Sequence, residues 1–230
     1  MSALAEWYDC SVGKTIVRCS WCEGSDDYVA YHDREWGRAI TDDTRLFEKI
    51  CLEGFQSGLA WITVLRKRDA FREAFAGFDP VKVARFNDAH VDKLIGNAGI
   101  IRHRGKIEST INNARRLNEM HRAGESLADL VWSHADRARR PAPAAIGSLP
   151  ASTAASTALS KTLKKRGWSF VGPTTMYAFM QSMGVVNDHF DGCHVRAICE
   201  KERRGVLASR VGDTRPADTL ESTTRGGAAR

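Results

Sequence analysis

The sequence predicts an all-α protein, and three observations carry that expectation. Strand-like alternation of apolar and polar residues is almost absent. Apolar residues recur instead at helical spacing, as in Leu46, Phe47, Ile50 and Cys51. Starting and stopping residues bracket the patterned stretches: Asp79-Pro80 before one, Gly167 and Gly184 after two others.

Residues 1–17 form a weakly patterned extension. Thr41-Asp42-Asp43 then caps a helix through Leu46, Phe47, Ile50 and Cys51. Gly54, Ser57 and Gly58 predict a break, with Ser57 opening a second helix through Trp61, Ile62, Leu65, Phe71 and Phe75. One long helix through both glycines is less favoured, since an interior glycine costs about 1 kcal/mol. Asp79 and Pro80 supply a cap and a first-position proline for a helix opening at Val81. Residues 88–95 form another short helix, stopped by Asn97-Ala98-Gly99. A longer helix restarts after Ile100 and runs through Ile107, Ile111 and Leu117. Residues 134–151, rich in Ala, Pro and Arg, read as a connection. Residues 158–166 form a basic amphipathic helix ended by Gly167. Pro173 opens a helix carrying Met176, Tyr177, Phe179, Met180 and Met183, ended by Gly184. From Val195 the core signals fade, and residues 195–230 read as a basic, disordered tail. No repeat of 20–50 residues is present, so the expected organisation is one domain, residues 18–194, between two accessory ends.

The 230 residues, 43% hydrophobic and 27% charged, suit an ordinary globular protein with one sizeable core or two small subdomains. The charge of +6, from 34 basic and 28 acidic residues, suits a polyanionic partner without requiring one. No apolar run reaches the roughly 18 residues of a membrane helix. The first nine residues lack the basic and apolar regions of a secretory signal. The expectation is a cytoplasmic monomer, in which the six cysteines are thiols or metal ligands rather than disulfides.

Three groups of residues carry chemistry. Cys19 and His32 stand near the start of the domain and His189-x3-Cys193 near its end. Two soft ligands from each end match a closed tetrahedral zinc site that would tie the ends together. His189 and Cys193 share a face if a helical turn joins them. A rival site replaces His32 with Cys22, since Cys19-x-x-Cys22 is itself a metal-like spacing, and the residues alone slightly favour it. The plain alternative is buried thiols and a core histidine. The second group is the stretch from Asn97 through Gly99 to Arg102, His103, Arg104 and Lys106. A glycine-containing hairpin between two helices, with cations just after, can clamp a phosphate through backbone N–H groups and charge. A solvated charge run is the alternative. The third group is Glu53 at the edge of an apolar stripe, with Trp21, Tyr28, Tyr31, Trp36 and Trp61. Flat aromatic faces with a carboxylate acceptor are what a pocket needs to hold a cationic purine. Core packing explains Trp36 better, and a surface acid competes evenly for Glu53. No Ser-His-acid set, P-loop or GxGxxG is present.

Taken together, the strings Arg18-Cys19-Ser20-Trp21, Ala30-Tyr31-His32-Asp33-Arg34-Glu35-Trp36-Gly37, Cys51-Leu52-Glu53-Gly54, Gly58-Leu59-Ala60-Trp61-Ile62, Ile100-Ile101-Arg102-His103-Arg104-Gly105-Lys106 and Val186-Asn187-Asp188-His189 resemble the 3-methyladenine DNA glycosylase I family of the helix-hairpin-helix superfamily. The likeness covers roughly residues 18–194. It implies a two-lobed helical fold with the lesion bound between the lobes in alkylated double-stranded DNA. It implies a structural zinc on Cys19, His32, His189 and Cys193, which decides against Cys22. It implies that Glu53 contacts the methylated adenine, that Tyr31 and Trp61 stack around it, and that Trp21 lies nearby. It also implies that the hairpin around Gly99, Arg102, Arg104 and Lys106 holds the DNA backbone, and that the Leu59 loop probes the gap left by the flipped nucleotide. The family lacks the catalytic aspartate of related enzymes, so Glu53 takes no general-base role by analogy. With no nucleophilic lysine placed by these motifs, a monofunctional glycosylase without lyase activity is expected.

Overall fold

Asp42 starts the helix on which the molecule is built. In the computed structural model, which describes residues 16–138 and 140–210, its carboxylate accepts the Arg45 N–H at 2.8 Å and opens α2 (Asp43–Gln56). Its second half lies inside the molecule: α2 is buried from Ile50 through Phe55 without interruption, Glu53 included. It is wrapped by α3 (Trp61–Leu65), α7 (Arg104–Arg122), α8 (Leu127–Ser133) and α10 (Pro173–Ser182). The other helices are α1 (Asp26–Arg34), α4 (Arg68–Ala74), α5 (Pro80–Val83), α6 (Asp88–Ile95), α9 (Ala154–Lys165) and α11 (Arg196–Ser209). No strand occurs among the described residues, so the all-α expectation holds. None of the described helices is long and apolar enough to cross a membrane.

Local caps explain most boundaries. Asp79 accepts the N–H groups of Val81 and Lys82, with Pro80 at the first position of α5. Asn87 caps α6, His103 caps α7, and Thr153 caps α9 with a reciprocal bond from Ser156. That last pair starts α9 four residues before the expected point. Gly184 ends α10 at φ +70°, where a Cβ would lie 2.7 Å from the Arg38 and Ala39 backbone.

Four expectations need correction. Gly54 does not break α2; it lies within the helix, and having no Cβ it makes room for Phe170, which a Cβ there would meet at 3.3 Å. Ser57 therefore follows the end of α2 rather than opening the next helix, which begins at Trp61. The stretch from Trp61 to Phe75 is two helices, interrupted at Arg66 and Lys67, where the Lys67 ammonium turns to the Ala98 carbonyl at 2.8 Å. Residues 195–210 are not a disordered tail. They form α11, held by Cys199, Leu207 and the buried Arg203, whose guanidinium donates to the Val185 carbonyl at 3.0 Å. Few buried apolar residues left this helix without a readable stripe. Residues 211–230 and residues 1–15 lie outside the described residues.

Two apolar clusters result. The larger spans α2 through α10 and includes Leu207 of α11. The smaller joins Cys19 to Phe190, Cys193, Val195 and Cys199, near the two ends of the described chain.

Candidate functional site

The smaller cluster encloses a set of metal-capable side chains. Ligand atoms of Cys19, His32, His189 and Cys193 all lie within 4.8 Å of one another, and all four residues are buried. Cys193 Sγ is 3.5 Å from both His32 Nε2 and His189 Nδ1, and Cys19 Sγ is 3.6 Å from His189 Nδ1. The remaining ring nitrogens are engaged behind. His32 Nδ1 is 2.8 Å from Asp33 Oδ1, and Asp33 is held in turn by Arg18. His189 Nε2 is 3.1 Å from the Trp36 carbonyl oxygen. Such partners fix which nitrogen faces a metal. Cys22 stands outside the set, its thiol donating to the Cys19 carbonyl at 3.1 Å, so the four-residue set with His32 is the one brought together. The expected helical turn between His189 and Cys193 is absent: a turn with Gly192 at φ +74° approximates them instead.

The electrostatics match a thiolate site. Hydrogen bonding with Cys19 pushes the Cys193 thiol far down while raising Cys19. Burial alone would lower His32, but its bonds to Cys193 and Asp33 outweigh that and raise it. The Arg18 guanidinium holds Asp33 at about 2.

Beside this centre lies a cleft of about 340 Å³, lined by Trp21, Tyr31, Glu53, Gln56, Trp61 and Gln181 among others. Helix α1 supplies Tyr31, α2 supplies Glu53 and α3 supplies Trp61. The Tyr31 and Trp61 ring centres are 5.6 Å apart and tilted at 42°. Trp21 packs edge-on to Tyr31 at 6.4 Å. Glu53 is only 5% exposed, so it is not a surface acid. The buried Trp61 Nε1–H has no acceptor among the described residues. Trp36, where core packing was expected, also lines the cleft and stands against both metal-site histidines.

The hairpin between α6 and α7 lies apart from the cleft. Asn97 accepts the Gly99 N–H at 2.8 Å, and a Cβ on Gly99 would meet Ala70 at 3.1 Å. Arg102 is exposed. Arg104 is exposed too but pairs with Asp92 and Glu108. Lys106 is different. It is 8% exposed, and its ammonium donates to the carbonyls of Phe55 at 2.9 Å and Ser57 at 2.7 Å. A cation at the C-terminal end of α2 satisfies carbonyls that the helix leaves open. This placement does not fit Lys106 as a phosphate clamp; it anchors the Leu59 loop to α7.

The sequence pattern of the methyladenine glycosylase family matches residues 21–197. The chain belongs to this family. DNA-3-methyladenine glycosylase 1 of Escherichia coli K12 is 52% identical over 179 residues, 77% of this chain and 96% of that protein. The Haemophilus influenzae DNA-3-methyladenine glycosylase is 48% identical over 180 residues, 77% of this chain and 96% of its own. A crystal structure of a 3-methyladenine DNA glycosylase I is similar with a TM-score of 0.75 and 51% identity, over 77% of this chain and 98% of that one. The Staphylococcus aureus enzyme, solved for its recognition of 3-methyladenine, gives a TM-score of 0.73 at 30% identity, over 78% of this chain and 96% of that one.

The methyladenine glycosylase pattern ends at residue 197, so most of α11 lies beyond it. One residue behind the cleft was not singled out from the sequence. Lys49 is buried at 5% exposure, with Nζ 3.0 Å from Glu53 Oε1. Its i, i+4 spacing from Glu53 was the available sign, but the pairing reads as a surface ion pair until α2 is known to be enclosed. For Lys106, the expected result of Lys106→Met is a stability loss of about 1–3 kcal/mol from the unpaired carbonyls, with the salt dependence of DNA binding unchanged. Chemical denaturation and binding titrations at several salt concentrations check both.

Proposed function

We infer that the protein is a DNA base-excision repair enzyme that hydrolyses the N-glycosidic bond of 3-methyladenine in alkylated DNA. The observation that carries this reading is the Glu53 carboxylate, buried in a cleft walled by Tyr31, Trp61 and Trp21, in a chain of this family. Release of free 3-methyladenine from methylated duplex DNA, identified by chromatography, tests it. Release of no methylated purine would overturn it.

N3-methylation makes the base a cation within the nucleotide. When the C1′–N9 bond breaks, its electron pair goes to the base, which leaves neutral. Water then adds to C1′ and gives up a proton. A labile bond needs little chemical help, so the protein's main tasks are to find, extrude and enclose the lesion. The base is read by stacking on Tyr31 and Trp61, with Trp21 at the side. Glu53 accepts a hydrogen bond from the adenine amino group and places negative charge near the developing sugar cation. Leu59, 40% exposed on the loop between α2 and α3, is the residue to fill the vacated position in the duplex. Lys49, beside Glu53, and Lys106, beside the Leu59 loop, are both buried and engaged, which supports a monofunctional enzyme.

We assign a zinc ion to Cys19, His32, His189 and Cys193. Two thiols and two imidazoles, with the outer nitrogens already held, are a donor set suited to that ion. Such a site, with all four positions filled by protein, joins the ends of the domain and leaves no place for a reactive water.

The α6–α7 hairpin is the DNA-backbone clamp of a helix-hairpin-helix fold in this reading. Its support is the Gly99 turn with the exposed Arg102 and Arg104 at the start of α7. Replacing Arg102 or Arg104 with Ala, one at a time, is expected to weaken binding evenly across sequences. In at least one variant the slope of log K against log salt should fall by about 1. Unchanged slopes in both would remove this hairpin as the clamp.

A further inference from the structure

A buried cation stands behind the cleft. Lys49 lies one helical turn before Glu53 on α2, and its ammonium makes three contacts. It is 3.0 Å from Glu53 Oε1, donates to the Tyr31 hydroxyl at 2.8 Å, and lies 3.4 Å from the centre of the Trp61 ring. All three partners line the cleft, while Lys49 lines a separate cavity of about 40 Å³ on the far side of Tyr31 and Trp61. Of the other cations around that cavity, Arg68 pairs with Glu35 at 2.6 Å and Arg72 with Glu48 at 2.8 Å, while Arg45 is exposed at its wall. Lys49 is therefore the cation that faces Glu53. Its burial is costly, lowering its pKa against the pull of Glu53. An apolar side chain would fill this place in α2 without that cost.

We propose that Lys49 is a positioning residue that makes the cleft select a 6-amino purine over a 6-oxo purine. It acts through Glu53 and Tyr31, and the proposal rests on the glycosylase reading above. A carboxylate this deeply buried tends to take up a proton unless a cation faces it. The Lys49 ammonium holds Glu53 Oε1 at 3.0 Å, and a carboxylate paired with a cation only accepts hydrogen bonds. The 6-amino group of 3-methyladenine donates and is matched. The 6-oxo group of 3-methylguanine accepts, so two acceptors would oppose each other in a site with little water, and such mismatches discriminate strongly. Without the lysine no cation holds the Glu53 carboxyl as a pure acceptor, and a carboxyl that carries a proton can donate to the 6-oxo group. The Tyr31 oxygen also accepts from Lys49, which leaves the phenol proton free to point into the cleft at a ring nitrogen. Because the ammonium covers one face of Trp61, the base stacks on the other.

The test is single-turnover release of 3-methyladenine and 3-methylguanine from methylated duplex DNA, from mildly acidic to mildly basic pH. In Lys49→Met, the ratio of the two rates is expected to fall by about tenfold or more. A double variant, Lys49→Met with Glu53→Gln, carries no charge at this pair and guards against a failure to fold. It should show the lowered ratio as well. If both rates fall in equal proportion at every pH, or the ratio is unchanged in the double variant, Lys49 only supports the fold and the proposal is overturned. If the wild-type protein releases neither base, the glycosylase reading itself fails, and that is seen before any variant is made.

Discussion

Cys193→Ala is expected to lose bound zinc and to lower thermal stability. Cys193 is 6% exposed and its sulfur lies 3.5 Å from both histidines of the set. Removing it leaves Cys19, His32 and His189 as three ligands with no fourth, in a cluster that ties the start of the described chain to its last loop and to α11. Leaving a buried charged partner unmatched costs about 3–5 kcal/mol. At about 2–4 °C per kcal/mol for a domain of this size, the fall in Tm is about 6–20 °C. Metal analysis and calorimetry measure the two effects. Cys22→Ala is the control: its thiol only donates to the Cys19 carbonyl, so metal content should stay whole. Full zinc content with unchanged melting in Cys193→Ala would sink the assignment. Because the site offers no position for water, excision per folded molecule should survive in Cys193→Ala at low temperature.

Glu53→Gln is expected to cut excision of 3-methyladenine while leaving affinity for undamaged duplex nearly intact. The Lys49 ammonium decides how the amide sits. It draws the amide oxygen towards itself, as it now holds Oε1 at 3.0 Å, and the amide NH₂ then faces the cleft. A donor meets the adenine amino group where an acceptor stood. The lost hydrogen bond is worth about 1–3 kcal/mol, or about 5- to 150-fold in the single-turnover rate. The loss stays within that range because the methylated base is already a good leaving group. A total loss would mean a direct chemical role for Glu53. Wild-type activity would place the reading of the base elsewhere. Release of methylated base from alkylated DNA and binding to undamaged duplex, assayed in parallel, separate these outcomes.

These two sites differ in how far the sequence exposed them. The metal-capable set was recognisable as soft ligands at the two ends, but spacing alone also admitted Cys22, and the family likeness was needed to choose. In the structure the choice follows from direction: the short 3-10 turn at Ser20–Cys22 points the second thiol back at the chain, while α1 presents His32 to Cys193. For Glu53, the residue type and the aromatic company were legible. Its burial and its partner were not, because both depend on what covers the far side of α2.

By itself the sequence determined the local elements. Helix starts at Asp42, Asp79 and Pro173 and the glycine stop at Gly184 all fell where caps, a fixed proline φ and a positive φ require them. Those signals act within one turn of the chain and need no partner. The tertiary structure alone decided the charged groups. Lys106 read as a cation of the phosphate-binding hairpin and Lys49 drew no reading at all, yet Lys49 lies within bonding distance of Glu53 and Tyr31 and Lys106 holds two carbonyls 49 and 51 residues away. Helix α1 shows only Tyr31 and His32 buried. Helix α8 has two first-turn N–H groups held by Asp43, more than 80 residues earlier. Helix α11 is fastened partly by Arg203 on distant carbonyls. Apart from Glu53, one turn from Lys49, the stabilising partners are remote in sequence and the groups are polar, so hydrophobic periodicity carries no trace of them: a buried charge is legible only once the groups that desolvate and pair it are in place.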